Sequence, residues 1–373
     1  MAATPYAKEL QVAQLAVQRA AILTQRVFHE KAKGTVSKDD KSPVTIGDYG
    51  AQALIIGALR ANFPDDEIVA EEEADQLRTA DGAALRETIW GFVRNAALDD
   101  PAAEALLGGP IGSVQAMLDL IDAGKSQGGA AAGRVWTIDP IDGTKGFLRG
   151  GQYAVCVGLL VHGDVKVGVL GCPNLPVDDA APLTADLGAG GNSSSSSSSS
   201  STHGVLFSAV LGGGAVNRPL TSGALAPSHP IGMKPLTDPS DLSAASFCES
   251  VEAGHSNQDE SAQIARALGI TRPSVRMDSQ AKYGSIARGA GDIYLRLPVS
   301  ATYQEKIWDH AAGDLIVREA GGAVTDTLGR SLDFSHGRTL AENKGVVAAP
   351  AAIHARVLKA VQEVLHVSPA QGK

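Results

Sequence analysis

Between residues 6 and 32, small and apolar side chains return at Ala13, Ala16, Ala20, Leu23 and Val27, a three-four spacing that predicts an amphipathic helix. Lys41-Ser42-Pro43 interrupts regular structure. A second helical pattern is expected from near Gly47, burying Ala51, Leu54, Ile55, Ala58 and Leu59 before Pro64 and Asp65 end it. Glu67-Ile68-Val69-Ala70 then has the pattern of a short buried strand that delivers Glu71-Glu72-Glu73 at its end. Residues 74–130 are expected to be mostly helical with glycine-rich breaks, followed by an apolar strand over 134–138. Two β-branched runs, 153–161 and 165–170, flank His162-Gly163-Asp164 and predict a hairpin.

Nine serines follow Asn192, and such a tract cannot bury enough apolar surface to offset its ordering entropy. It is expected to be a disordered surface loop at 192–201. Beyond it, strands are expected at 205–210, 245–248, 274–277, 292–297 and 322–325, interleaved with helices near 258–268, 279–289 and 308–320. The organisation expected is an N-terminal α+β domain over 1–191, carrying most metal ligands, and a C-terminal α/β domain over 202–373. A chain of 373 residues is long enough for two such cores.

Charge narrows the possible partners. The 32 Lys and Arg against 41 Asp and Glu give a net charge of -9, with no basic stripe to attract a polyanion. An acidic chain that binds an anionic substrate needs local positive charge, and bound divalent cations supply it. The three cysteines, Cys156, Cys172 and Cys248, show no CxxC spacing and fit buried positions in a reducing compartment. With no apolar stretch of membrane-spanning length and no secretory pattern at the start, a cytoplasmic protein is expected, or an organellar one if a transit peptide has been removed.

Gly124-Lys125-Ser126 imitates the end of a P-loop, but Asp119 stands where its first glycine is required. Gly212-Gly213-Gly214 likewise lacks the third glycine of a dinucleotide fingerprint, which would fall at Asn217. No HExxH or GxSxG motif occurs. What remains is Trp136-Thr137-Ile138-Asp139-Pro140-Ile141-Asp142-Gly143-Thr144, an apolar strand running into two carboxylates. Pro140 has a fixed φ and no N–H, so the strand can stop there and turn Asp139 and Asp142 towards one point, with the Ile141 carbonyl beside them. Two carboxylates and a carbonyl supply half the oxygen shell that Mg²⁺ requires. Gly143 and Thr144 would offer backbone N–H groups to an adjacent phosphate. Asp-Pro and Asp-Gly are each ordinary turn dipeptides, but their fusion at a strand end points to a metal site. Glu71-Glu72-Glu73 by itself would be a solvated face, and Asp48 and Asp309 by themselves helix-opening acids.

Asp139-Pro140-Ile141-Asp142-Gly143-Thr144 and the later Trp308-Asp309-His310-Ala311-Ala312-Gly313 resemble the paired signatures of the inositol monophosphatase superfamily. Ser42-Pro43-Val44-Thr45, Cys172-Pro173-Asn174-Leu175-Pro176 and Asp278-Ser279-Gln280-Ala281-Lys282-Tyr283 look like its 3'(2'),5'-bisphosphate nucleotidase branch. The resemblance spans nearly the whole chain. It implies a layered α/β/α/β/α fold with the active site between the two domains. It also implies Mg²⁺-dependent, lithium-sensitive hydrolysis of the 3'-phosphate of 3'-phosphoadenosine 5'-phosphate and of 3'-phosphoadenylyl sulfate. Carried over residue by residue, it implies Glu71, Asp139, Asp142, Asp309 and the Ile141 carbonyl as magnesium ligands. Asp48 and Thr144 become the water-activating pair, and Thr144, His255, Ser279, Lys282, Arg296 and Asp309 contact the nucleotide. Ala70 departs from the family pattern, which has glycine before the paired acids, and Glu71 is chosen over Glu72 by motif alignment alone.

The expected partner is a small bisphosphate nucleotide, with no nucleic acid polymer and no membrane, and the expected state is a monomer or homodimer. Alternatives are an inositol polyphosphate 1-phosphatase, a sugar bisphosphate phosphatase or, from another class, a non-catalytic nucleotide sensor. The full acidic set argues against the sensor.

Overall fold

The computed structural model describes residues 5–32, 42–178, 203–236, 238, 240–251, 258–298, 300 and 302–368. The serine tract and His255 lie outside the described residues.

Two long helices come first, α1 (Ala7–Ala32) and α2 (Ser42–Asn62). The second begins earlier than its apolar pattern predicts. Pro43 sits in its first turn, where a missing N–H costs nothing, so Asp48 lies within the helix and does not cap it. Then follow β1 (Glu67–Ala70), α3 (Ala83–Val93), α4 (Pro101–Leu106), α5 (Val114–Asp122), β2 (Arg134–Asp142), α6 (Thr144–Arg149), β3 (Ala154–Val161) and β4 (Asp164–Pro176). Strands β5 (His203–Val210), β6 (Ala215–Pro219) and β7 (His229–Pro230) complete a seven-stranded sheet whose spatial order is its chain order. The hairpin expected at His162-Gly163 forms, with both residues at positive φ and Val161 paired with Asp164.

The sequence division at 192–201 falls inside this sheet. Strand β5 pairs with β4, and its side chains bury on both faces, so the change of sheet comes only after Pro230. The second sheet has five strands, in the order Gly322–Thr325, Val346–Pro350, Ile293–Arg296, Phe247–Glu249 and Val275–Arg276. It is built from β8 (Phe247–Glu249), α7 (Gln258–Leu268), β9 (Val275–Arg276), α8 (Ala281–Ala287), β10 (Ile293–Arg296), α9 (Ala311–Glu319), β11 (Gly322–Thr325), β12 (Val346–Pro350) and α10 (Ala351–Leu365).

Strand parity sorts these elements into five layers. Trp136, Ile138, Val155 and Val157 face α1 and α2 on one side of the large sheet. Val135, Ala154, Cys156 and Phe207 face the other side, where α8 and α9 supply Tyr283, Ile286, Leu315 and Ile316. Tyr294, Val346 and Ala348 of the small sheet close that middle layer. Ile293, Leu295, Val347 and Ala349 point outward against α7 and α10. The fold is the α/β/α/β/α sandwich implied by the sequence. Helix α10 and strand β12 complete it at a stretch for which no element was expected. No helix among the described residues is long and apolar enough to cross a membrane.

Candidate active site

The first motif does not end its strand. Strand β2 continues to Asp142, and its pairing with β3 shifts between Asp139, opposite Cys156, and Asp142, opposite Ala154. Three steps on one strand match two on the other, which is a β-bulge at Pro140-Ile141, where a proline is tolerated. Residues three apart on a regular strand face opposite sides. One extra residue restores parity, so Asp139 and Asp142 both line a cavity of about 380 Å³ in the middle layer. Gly143, at φ +88, turns the chain into α6, which begins at Thr144 on the cavity wall.

The three consecutive glutamates go to three environments. Glu71 lines the cavity. Glu72 is hydrogen-bonded to Tyr49, and its backbone N–H and carbonyl are both held by the Gln52 amide, at 2.9 and 2.8 Å. Glu73 faces Lys125 at 3.8 Å. Ala70, the departure from the family pattern, is accommodated by Gly124 opposite, where an added Cβ would stand 2.6 Å from that of Ala70.

The second half of the chain supplies the opposite wall. Ser279 has φ +70, a conformation rare for a non-glycine residue and common at ligand sites. Lys282, 3 % exposed, donates from Nζ to the Ser279 carbonyl at 2.9 Å and holds that turn. The helix expected from 279 therefore starts only at Ala281. Gln280 links the motifs: its N–H donates to Asp142, its side-chain amide donates to the Trp308 carbonyl at 2.7 Å, and its Oε1 accepts from Gly313 N–H at 3.0 Å. The helix expected from 308 also starts later, because a 3₁₀ turn over Ile307–Asp309 precedes α9 and brings Asp309 to the cavity. Arg296, at the end of β10, completes the wall. Neither Lys282 nor Arg296 is a solvated surface residue.

Crowded carboxylates in a low-dielectric pocket resist ionisation. Burial pushes Asp139 far above the usual carboxylate range, and Glu71, Asp142, Asp309 and Asp48 add to the effect. Asp309 is raised by burial and by Asp142, against the pull of Arg296. Asp142 is raised by burial, but Lys282 and the Gln280 N–H oppose it. Asp48 is raised by burial, then by Glu72 and Glu71. Glu71 is open to the cavity yet surrounded by protein, and it is pushed up to about 7 by that surrounding and by Glu72 and Asp142.

Such an arrangement asks for positive charge. The Oδ1 atoms of Asp48 and Asp139 are buried with no hydrogen-bond partner, a cost that a nearby cation would offset. An all-oxygen donor set from Glu71, Asp139, Asp142 and Asp309 suits Mg²⁺. The trio Glu305, Asp309 and His310 also has ligand atoms within 4.8 Å of one another. Arg296 Nε, 3.0 Å from Glu305, already occupies that carboxylate with a cation.

Of the residues singled out in the sequence, Glu71, Asp139, Ile141, Asp142, Thr144, Ser279, Lys282, Arg296 and Asp309 line one cavity. Asp48 is not on its wall. It lies behind the acidic group, on α2 where Gly47 packs against the side chain of Ile141, and its charge is felt at Asp139. Sequence reasoning missed Arg338, whose guanidinium donates to the carbonyls of Ala70 at 2.7 Å and Ser126 at 3.0 Å and lies 4.8 Å over the Trp308 ring. No local signal distinguishes it. It fastens the strand that carries Glu71 to the turn that carries Asp309.

Known proteins share this framework. The model of the inositol monophosphatase family matches residues 6–366. A 3'(2'),5'-bisphosphate nucleotidase of Emericella nidulans is 66% identical over 360 residues, covering 96% of this chain and 99% of that protein. One of Schizosaccharomyces pombe is 46% identical over 366 residues, covering 97% of each. Among solved structures, an inositol monophosphatase from Anabaena superposes with a TM-score of 0.53 at 20% identity and covers 98% of both chains, a likeness of fold. With the two signature motifs on one cavity and the family's pattern running nearly end to end, the chain belongs to the inositol monophosphatase family.

Proposed function

We infer that the protein is a phosphatase that removes the 3'-phosphate from 3'-phosphoadenosine 5'-phosphate, giving AMP and phosphate. The observation that carries this reading is the meeting of four carboxylates with Lys282 and Arg296 on one cavity, in a chain 66% identical to a protein named for that class of substrate. 3'-Phosphoadenylyl sulfate is a second substrate in this reading, the cofactor is Mg²⁺, the activity is lithium-sensitive, and the role lies in sulfur assimilation and nucleotide salvage.

Mg²⁺ held by Glu71, Asp139, Asp142, Asp309 and the Ile141 carbonyl would neutralise phosphoryl charge and make water easier to deprotonate. Asp48 and Thr144 align the attacking water and take its proton, for which a buried carboxylate of raised pKa is suited. The N–H groups at the start of α6 and the turn at Ser279 cradle the reacting phosphate. Arg296 and Lys282 hold the 5'-phosphate, the former as a fork and the latter as a point charge. His255 is assigned to the nucleotide by the family pattern alone.

Phosphate release from 3'-phosphoadenosine 5'-phosphate, 3'-phosphoadenylyl sulfate, inositol 1,4-bisphosphate and inositol monophosphate, with and without Mg²⁺ and Li⁺, tests the reading. Preference for an inositol phosphate over both nucleotides, or release that ignores Mg²⁺, would overturn it.

A further inference from the structure

A guanidinium on a long stem recognises phosphate bidentately only where its plane is fixed in advance. Arg296 has such a fixture. Its Nε donates to Glu305 Oε1 at 3.0 Å. The other oxygen of Glu305 lies 3.3 Å from His310 Nε2, and His310 Nδ1 lies 2.8 Å from the Tyr283 hydroxyl. One tautomer satisfies every atom, with Nε2–H donating to the carboxylate and Nδ1 accepting from the tyrosine. Glu305, His310 and Tyr283 are 8 %, 1 % and 1 % exposed, so water does not compete along the chain. The far end is anchored as well, because the Tyr283 ring stands edge-on to Tyr294 with centroids 4.8 Å apart.

Tyr283 belongs to α8, His310 joins the 3₁₀ turn to α9, and Glu305 lies in the loop after β10, so a relay through three separate elements ends on one side chain. Arg296 and His310 line the cavity, and Glu305 and Tyr283 do not. With Nε committed to Glu305 and the Tyr303 hydroxyl accepting a further hydrogen bond from the guanidinium, the remaining N–H groups of Arg296 are the part left to meet a ligand.

We propose that Glu305, backed by His310 and Tyr283, is a positioning residue that fixes the Arg296 guanidinium for the substrate phosphate that is not hydrolysed. This rests on the nucleotide reading above. The role is one of recognition: the chain sets how tightly the bisphosphate is bound and leaves the rate of phosphate cleavage unchanged.

Glu305→Gln keeps the shape and removes the charge, and Tyr283→Phe removes only the terminal hydroxyl. Both are assayed in the magnesium-loaded enzyme on 3'-phosphoadenosine 5'-phosphate and on adenosine 3'-phosphate, which lacks the second phosphate. Glu305→Gln should raise KM for the bisphosphate roughly tenfold or more, with kcat within about twofold. KM for the monophosphate should be unchanged. Tyr283→Phe should move KM in the same direction by less, and it carries the test if Glu305→Gln fails to fold. Glu305→Gln should add nothing to Arg296→Ala. Equal KM increases for both substrates, no increase in a folded variant, or additivity with Arg296→Ala would each overturn the proposal. If the unaltered enzyme cleaves neither nucleotide, the functional reading fails by itself. The positioning claim is then decided by calorimetry with inorganic phosphate, where Glu305→Gln must bind more weakly than wild type, and equal binding refutes it.

Discussion

Asp139 and Asp142 stand three residues apart on one strand and face the same cavity, because the bulge at Pro140-Ile141 inserts the one residue that restores their parity. The acidic group depends on this backbone device as much as on the residues themselves. Asp309 reaches the same place by a 3₁₀ turn, and Glu71 by the end of a parallel strand.

Asp48 sits behind the wall, and in the proposed mechanism it acts on water and proton without taking part in nucleotide binding. Asp48→Asn is expected to lower kcat by roughly 10²-fold or more, the range for a lost general base. Nucleotide affinity should stay near wild type, and the melting temperature of the metal-free protein should not fall, since the change removes an ionisable group whose charge burial and neighbouring acids disfavour. Turnover and calorimetry on the same preparation check both halves.

The raised carboxylates tie stability to pH in the metal-free protein. Each has a folded-state pKa above its unfolded value of about 4, so the folded state binds more protons. Stability from this source is present below about pH 4 and is lost as pH rises through the folded values, including that of Glu71 at about 7. In the proposed reading, Mg²⁺ at these carboxylates would relieve the repulsion and compete best when protons are scarce. Thermal melts should therefore show a larger rise on adding Mg²⁺ near pH 8 than near pH 5, and an equal rise at both would count against the coupling.

Ala70 and Gly124 form a complementary pair beneath the Glu71 strand end. Gly124→Ala would drive a Cβ to 2.6 Å from Ala70 and to 3.2 Å from Gln52 Nε2, which holds Glu72. A loss of about 1–3 kcal/mol is expected in urea unfolding. Ala70→Gly in the same chain should recover most of it, and a double mutant no better than Gly124→Ala would refute the steric account.

Arg338 joins the two acidic walls, so Arg338→Ala should cost about 2–4 kcal/mol through lost hydrogen bonds and ring contact. The Mg²⁺ concentration for half-maximal activity should rise, because Glu71 and Asp309 lose their common anchor. Unchanged Mg²⁺ dependence in a destabilised variant would confine Arg338 to stability.

Much of this was legible in the sequence. Strand and helix patterns and the hairpin at His162-Gly163 follow from local spacing, and the first acidic motif from its residues, whereas the motif around Asp309 was found through the family resemblance. The bulge was not, because an extra residue shows only against the partner strand. Nor was the membership of β5–β7 in the first sheet, which depends on pairing across the serine tract. Helix α10 carries Ile353, Val357, Ala360 and Val361 on one face, a spacing that a closer reading of the C-terminus could have found. Three adjacent glutamates are indistinguishable as letters, and only Gln52, Tyr49 and Lys125 around them single out Glu71. Gln280 and Arg338 act through contacts far along the chain and leave no local mark.

The central claim is that these carboxylates hold divalent cations together. Crystals of the protein grown with Mn²⁺ as an anomalously scattering stand-in for Mg²⁺ test it directly. Anomalous peaks are expected about 2.0–2.3 Å from carboxylate oxygens of Glu71, Asp139, Asp142 and Asp309. Peaks confined to other surfaces, with this cavity holding only water, would contradict it.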